Sequence, residues 1–439
     1  MVQRIVQPAG AERTLPRIAL VLLILAALGQ LYNNLALARI GSFVVGIPLL
    51  LLIGATVIAL ITPRQHPADG ALPLLWGLLI GWQIFVGVAL GRTSDREWLQ
   101  PLLLFTLYTT CFVIISRLSI THDDLNWAMV SIGVAVLIFG GLGIVQFFLL
   151  NLFQLVPALP PELSAVVWQP TIDIYRTGGL LRPAGLSYEP ATYSIALSVA
   201  LVLFILMSSI TTFRQRGLII VSGICLVIAS LLTLSLAGWA VALPALLVGA
   251  LHKRFRHFTL PVIILVTTLL IAFTYAGFAP VISTRLADIA AGSDESANVR
   301  VLAAASLLVE PSRELALSFT GGGWGQGSEF WALMDEVYLG RFGTNVTDIH
   351  NIFTVIRVSQ GWVGIALHLL LLLAIARLGV RHNRTLYLPA LVMIGTLHFA
   401  SGFYLDPVFW ALLGLIAVLR DRDAMQELEG QGAVRWRHS

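Results

Sequence analysis

The chain has 439 residues, 57% hydrophobic and only 11% charged, with a formal net charge of +4. Soluble domains carry roughly 25% charged residues. A water-exposed surface cannot be assembled from this composition, so lipid is the solvent for most of the chain, and nothing points to a nucleic-acid partner. Cys111 and Cys225 both lie in apolar runs, which leaves no disulfide framework and no Cys-based metal site. Arg4, Arg13 and Arg17 precede the first apolar run with no clean small-residue cleavage site after it, so the reading is an uncleaved first anchor.

A spanning helix needs about 20 mostly apolar residues. Suitable runs cover roughly 17–32, 40–62, 71–91, 98–116, 127–150, 190–209, 217–234, 237–251, 258–276, 351–376, 386–402 and 407–419. The expected fold is therefore an all-α polytopic membrane protein of about twelve transmembrane helices. It forms one integral membrane domain, 1–439, interrupted by two long loops at 151–189 and 277–350.

Orientation follows from the positive-inside rule. With the N-terminus in the cytoplasm, short loops on that side hold Arg64, Arg117, Arg214, Arg216, Lys253, Arg254, Arg256, Arg377, Arg381 and Arg384. Short loops on the other side hold only Arg39, Arg92 and Arg96. Both termini are then cytoplasmic and both long loops face out. Within 277–350, the segment 329–339 spaces Phe330, Met334, Val337 and Tyr338 along one helical face, suited to the membrane surface. Val299–Val309 also reads as a helix.

The motifs of soluble enzymes are absent: there is no GxxxxGK[ST], HExxH or GxSxG. The run Gly321-Gly322-Gly323-Trp324-Gly325-Gln326-Gly327 follows no strand. It reads either as a flexible re-entry loop or as a close backbone approach to a phosphate or sugar. Ser235-Leu-Ala-Gly238 reads as a tight turn between two spans.

Two stretches carry more chemistry. The first runs from Arg176 through Arg182, Gly185, Tyr188, Glu189 and Pro190 to Ser194, ending the first long loop and opening a membrane helix. Pro190 suits the first helical turn, and Glu189 suits the helix N-terminus, where negative charge is favoured. The bland alternative is a capping carboxylate beside a snorkelling arginine. The second is Asp348-Ile349-His350-Asn351, followed by Arg357, Gln360, Gly361 and Gly364. His350 starts a long helix and Arg357, seven residues on, shares its face. An ionisable residue inside a spanning helix is a functional hypothesis by default. Its bland alternative is snorkelling or pairing with a carbonyl. A further cation, Arg300, follows Asn298 in the large loop, where acids accompany it.

In the order of these motifs the chain resembles the O-antigen ligase/polymerase superfamily of integral membrane glycosyltransferases. The resemblance rests on Arg182-x-x-Gly185-Leu-x-x-Glu189-Pro190, Thr233-x-Ser235-x-x-Gly238, Arg300, Gly321–Gly327, His350-Asn351 and Gly361-x-x-Gly364. It covers about residues 30–420. It implies a GT-C-like membrane fold in the bacterial inner membrane, with the active site on the periplasmic face. It also implies transfer of a glycan from a polyprenyl-diphosphate-linked oligosaccharide to an acceptor glycan or glycolipid. A chain-length regulator is a candidate partner. Glu189-Pro190 looks more like the polymerases than the ligases, which join the glycan to lipid A-core. Leu236 departs from the pattern, since many members carry a basic residue after the serine.

The physical demands of that reaction assign roles. Cleaving a sugar C1–oxygen bond to release a diphosphate needs fixed cations, and arginine offers a planar, always-charged fork. Arg182 and Arg300 come first, with Arg176 and Arg357 behind them. The acceptor hydroxyl needs a base: His350, whose ordinary pKa is near 6.5, or Glu189. Tyr188, Asn351, Gly323 and Gly325 are read as acceptor and loop contacts. No carboxylate cluster is visible, so no metal or other cofactor is expected. The rival readings are a transporter or lipid flippase, another polyprenyl-linked glycosyltransferase and a non-catalytic scaffold.

Overall fold

Uncharged apolar runs become helices in lipid because each backbone polar group must be satisfied within its own segment. The computed structural model describes residues 11–40, 43–62, 70–91, 96–154, 176–177, 180–187, 189–210, 216–251, 253–273, 283–284, 287, 291, 319–323, 351–400 and 403–419. Its helices are α1 (Ala11–Ala27), α2 (Ile47–Ile61), α3 (Ala71–Ala89), α4 (Arg96–Ile115), α5 (His122–Phe153) and α6 (Pro190–Ile210). They continue with α7 (Arg216–Leu232), α8 (Leu236–Leu251), α9 (Lys253–Phe273), α10 (Ile352–Ala400) and α11 (Pro407–Val418). Among the described residues, five helices are long and apolar enough to cross a membrane, or six if the bent pair Leu236–Leu251 and Phe255–Leu269 is one span. Five shorter apolar helices accompany them. The protein is thus an all-α chain of membrane-suited helices.

The boundaries have local causes. α5 starts at 122, ahead of the expected 127, because Thr121 and Asp124 form a capping box: the Thr121 side chain accepts from Asp124 N, and Asp124 Oδ2 accepts from Thr121 N at 2.9 Å. The run expected from residue 40 is helical only from Ile47. Before it, β1 (Ala36–Ile40) pairs antiparallel with β2 (Phe43–Gly46), and Pro48 opens α2. The two expected spans 351–376 and 386–402 belong to one helical run of 49 residues, α10. A straight helix would separate His368 from His398 by about 45 Å. Their Nε2 atoms lie 2.8 Å apart, so the run folds back between them.

Two helices form the centre. The 190–208 stretch of α6 is buried throughout, and so is α11 from Val408 to Val418. Neither span carries a charge, as expected of helices enclosed on all sides. Small residues set how closely α6 meets α8: a Cβ on Gly238 would fall 2.1 Å from Ser194 Oγ. By contrast α3 presents Leu74, Leu78, Ile84, Phe85 and Val88 outward. In a bilayer that face meets lipid.

Candidate functional site

The segment holding Arg182 is fixed from behind by α5. Two short strands, β3 (Arg176–Thr177) and β4 (Leu180–Leu181), pair antiparallel just before it. Asn151 then acts as an extra backbone: its Oδ1 accepts Leu181 N at 2.9 Å and its Nδ2 donates to Leu181 O at 2.9 Å. Gln146 Oε1 accepts from Ala184 N and Gly185 N at 2.8 and 2.7 Å. Arg182, half-buried, lies between these two anchors. Gly185 takes φ +60, a left-handed turn that suits glycine. Its α-carbon rests on the Tyr193 ring, and a Cβ there would sit 2.6 Å from Cε2. Tyr193 is itself pinned, donating its hydroxyl to Phe139 O at 2.6 Å.

Glu189 stands where the sequence predicts, one residue before the Pro190 that opens α6. Its carbonyl accepts Tyr193 N at 3.1 Å, and its carboxylate accepts the Thr192 hydroxyl at 2.7 Å. Three residues before it, the carbonyl of Leu186 accepts Asn34 N at 3.2 Å. That contact joins the loop to the end of α1. From there a polar chain runs inward: Asn33 donates to Gln30, and Gln30 donates to Asp406, the residue capping α11. Asp406 Oδ1 also accepts Val408 N at 2.8 Å. Burial above all pushes the Asp406 carboxyl up to about 6, against the opposing pull of Val408 N–H and Gln30. A carboxyl near neutrality, joined through three residues to the Arg182 loop, is a feature the sequence reading passed over. Asp-Pro before an apolar run signals only a cap.

The second motif is built on a break in α10. Gly361 has φ +67, which stops the regular helical bonding and frees the carbonyls before it. The glycine run supplies the donors: Gly322 N donates to Val358 O at 2.8 Å and Gly323 N to Ser359 O at 3.0 Å. Trp82 of α3 donates Nε1–H to Gln360 O at 3.0 Å. The approach is backbone on backbone. A Cβ on Gly361 would lie 2.1 Å from Phe319 O, and one on Gly321 would lie 2.5 Å from Gln360 N. Gly321 to Gly323 make a close backbone approach. What these glycines approach is a helix of the same chain.

Arg357 lies one turn before the break and is buried, its guanidinium carbon 5.0 Å from the centre of the Trp362 ring. Asn351 is buried too and caps α10, its Oδ1 accepting Thr354 N at 3.1 Å. The tight turn expected at Ser235–Gly238 falls instead at Thr233–Ser235, with Leu234 at φ +48, and Leu236 to Gly238 already open α8. His350, Arg300, Tyr188, Gly325 and the segments 299–309 and 329–339 fall outside the described residues. Arg176 is described as β3 backbone alone. Among the described residues no group of three His, Cys, Asp or Glu side chains is arranged to hold a metal ion.

A polar pair within α10 also escaped the sequence reading. His398 Nδ1 lies 2.6 Å from Ile394 O, which can only accept. His398 Nε2 is then left to accept the His368 Nε2–H. The pair ties the two arms of α10 together beside Phe353, Tyr404 and Phe409.

Compared with known proteins, the chain matches no family description and no curated relative.

Proposed function

We propose that this chain is a membrane glycosyltransferase of the O-antigen ligase/polymerase type. It crosses the bacterial inner membrane twelve times with both termini in the cytoplasm, and it works at the periplasmic face. It moves a glycan from a polyprenyl-diphosphate donor to an acceptor hydroxyl. Glu189-Pro190 favours the polymerase branch, in which the acceptor is another lipid-linked repeat unit. The observation that carries the reading is the Arg182–Glu189 segment. It is a polar loop opening the most buried helix, held rigid by Gln146, Asn151 and Tyr193. Preorganised charge is what a reaction that expels a diphosphate demands.

In that reaction the acceptor oxygen attacks the sugar C1. The C1–oxygen bond to the diphosphate breaks, and the leaving group departs with the electron pair. Arg182 and Arg300 bind the diphosphate, with Arg176 and Arg357 as further cations. The acceptor proton passes to His350, with Glu189 orienting the acceptor sugar. No metal is required by this scheme.

The test is transfer by purified protein, without any ion gradient, from a polyprenyl-diphosphate oligosaccharide to a second such molecule. Lengthened lipid-linked glycan supports the polymerase. Transfer only to lipid A-core makes it a ligase. No transfer to either acceptor, with transport of the lipid-linked glycan in vesicles, replaces the reading with a flippase.

A further inference from the structure

We propose that Arg357 and Trp362 form a lateral dock at the seam of α3 and α10, where the phosphate of a polyprenyl lipid reaches the protein from within the bilayer. The identity of that lipid rests on the glycosyltransfer reading. The dock itself rests on the geometry.

On an unbroken helix, residues five apart point about 140° away from each other and do not meet. Arg357 and Trp362 meet because Gly361, at φ +67, turns the chain between them. The break therefore builds the pair. Arg357 is only 4% exposed, and the ring covering it is 43% exposed. Trp362 is also the first of a series of exposed α10 side chains that continues through Leu369, Leu370 and Leu373. One aromatic ring thus separates a guanidinium from the lipid-facing surface.

The other wall is α3. Trp82 holds Gln360 O, and Phe85, exposed, stacks on Trp82 at 5.4 Å. Aromatic side chains therefore stand at the break on both helices, Trp362 against the guanidinium and Trp82 on Gln360 O, with an aliphatic stripe on α10 leading away. A phosphate offers arginine a charge-assisted, bidentate contact, and the stripe offers its hydrocarbon tail a track. A zwitterionic phospholipid would bring its ammonium against the guanidinium. A polyprenyl phosphate brings only negative charge, as phosphatidylglycerol does, and of these two the glycosyltransfer reading selects the polyprenyl lipid.

The experiment is native mass spectrometry of the full-length purified protein with three probes: polyprenyl monophosphate, polyprenol and phosphatidylglycerol. The wild type should retain the polyprenyl monophosphate and neither of the others at equal concentration. Arg357→Gln should weaken that binding by about tenfold or more, and Arg357→Lys should recover part of it. Trp362→Leu should weaken it several-fold, and it serves where Arg357→Gln fails to fold, since residue 362 is at the surface. Binding within about twofold of wild type in both Arg357→Gln and Trp362→Leu would overturn the dock. Equal retention of phosphatidylglycerol would overturn the polyprenyl assignment. The probes contain no acceptor, so the two readings fail separately. Transfer that survives both substitutions removes the dock and the share of Arg357 in diphosphate binding, and leaves the rest of the glycosyltransferase reading standing. Arg357-dependent binding without any transfer removes the glycosyltransferase reading alone.

Discussion

Gln146 accepts the backbone N–H of Gly185 across 38 residues of sequence, at 2.7 Å. The same oxygen takes Ala184 N at 2.8 Å, so one α5 side chain satisfies two donors of the Arg182 loop. Leucine at 146 would fill a similar volume and strand both. A buried donor left unsatisfied costs about 1–3 kcal/mol. Gln146→Leu should therefore lower the melting temperature and raise the KM for the lipid-linked donor, with Gln146→Glu, which keeps an acceptor, closer to wild type. Unchanged melting and KM in Gln146→Leu would remove α5 from the site.

Gly143 lies under the same assembly. A methyl group there would fall 2.1 Å from Tyr193 Oη and 2.7 Å from Cζ. Tyr193 cannot yield easily, being fully buried and bound to Phe139 O. Gly143→Ala should destabilise by about 1–3 kcal/mol through overpacking. Adding Tyr193→Phe removes the hydroxyl clash while leaving the ring clash, so the double variant should be less destabilised than the sum of the two. Thermal melts of the four proteins give this coupling, and strict additivity would contradict the contact.

The helices were legible because their apolar runs are long, and Glu189-Pro190 marked a helix start that is found at Pro190. Gln146 and Asn151 were not legible. They bond to backbone 30 to 39 residues away, and such contacts leave no periodic trace. The glycine run and Gly361 were visible as glycines, but their meeting depends on a positive φ and a chain crossing that no spacing encodes. The hairpin at 36–46 was hidden because Phe43-Val-Val reads equally as the start of a span or as a strand.

Asp406 gives a pH signature. Its carboxyl sits at about 6 in the fold and near 3.8 when unfolded. Below the lower value both states are protonated. As pH rises between the two, the unfolded chain ionises first and gains on the folded one. Stability present in acid is thus lost as pH climbs through about 6. Asp406→Asn should abolish this slope, worth up to ~3 kcal/mol. It keeps an oxygen for Val408 N, and Gln30 and Asn33 can turn their amides to match. Melting wild type and variant from pH 4 to 7 reads the difference. A gap that stays constant over that range would mean the carboxyl does not titrate there.

Topology has its own test. In the proposed topology, drawn from the arginine asymmetry, 151–189 and 277–350 face out, so cysteines at Ser164 and Ser328 should react with an impermeant maleimide once the outer membrane is opened. A cysteine within His252–His257 should stay protected. The reverse pattern would invert the protein and move the Arg182 loop to the cytoplasm.

The last prediction separates His350 from Glu189 as the base. The Glu189 carboxylate accepts the Thr192 hydroxyl at 2.7 Å and precedes the first turn of α6. Both features fix where the carboxylate stands. They suit a residue that orients an acceptor sugar. His350 follows Asp348 and precedes the α10 cap Asn351. Imidazole is the side chain most often used as a general base. His350→Ala should depress turnover by about 100- to 10,000-fold and leave donor binding nearly intact. Glu189→Gln, which keeps an oxygen for Thr192, should raise the acceptor KM more than it lowers kcat. Both are measured with purified protein and a lipid-linked donor. Turnover that survives His350→Ala but not Glu189→Gln would exchange the two roles. Loss of donor binding in His350→Ala would make the histidine a diphosphate ligand, leaving Glu189 to take the proton.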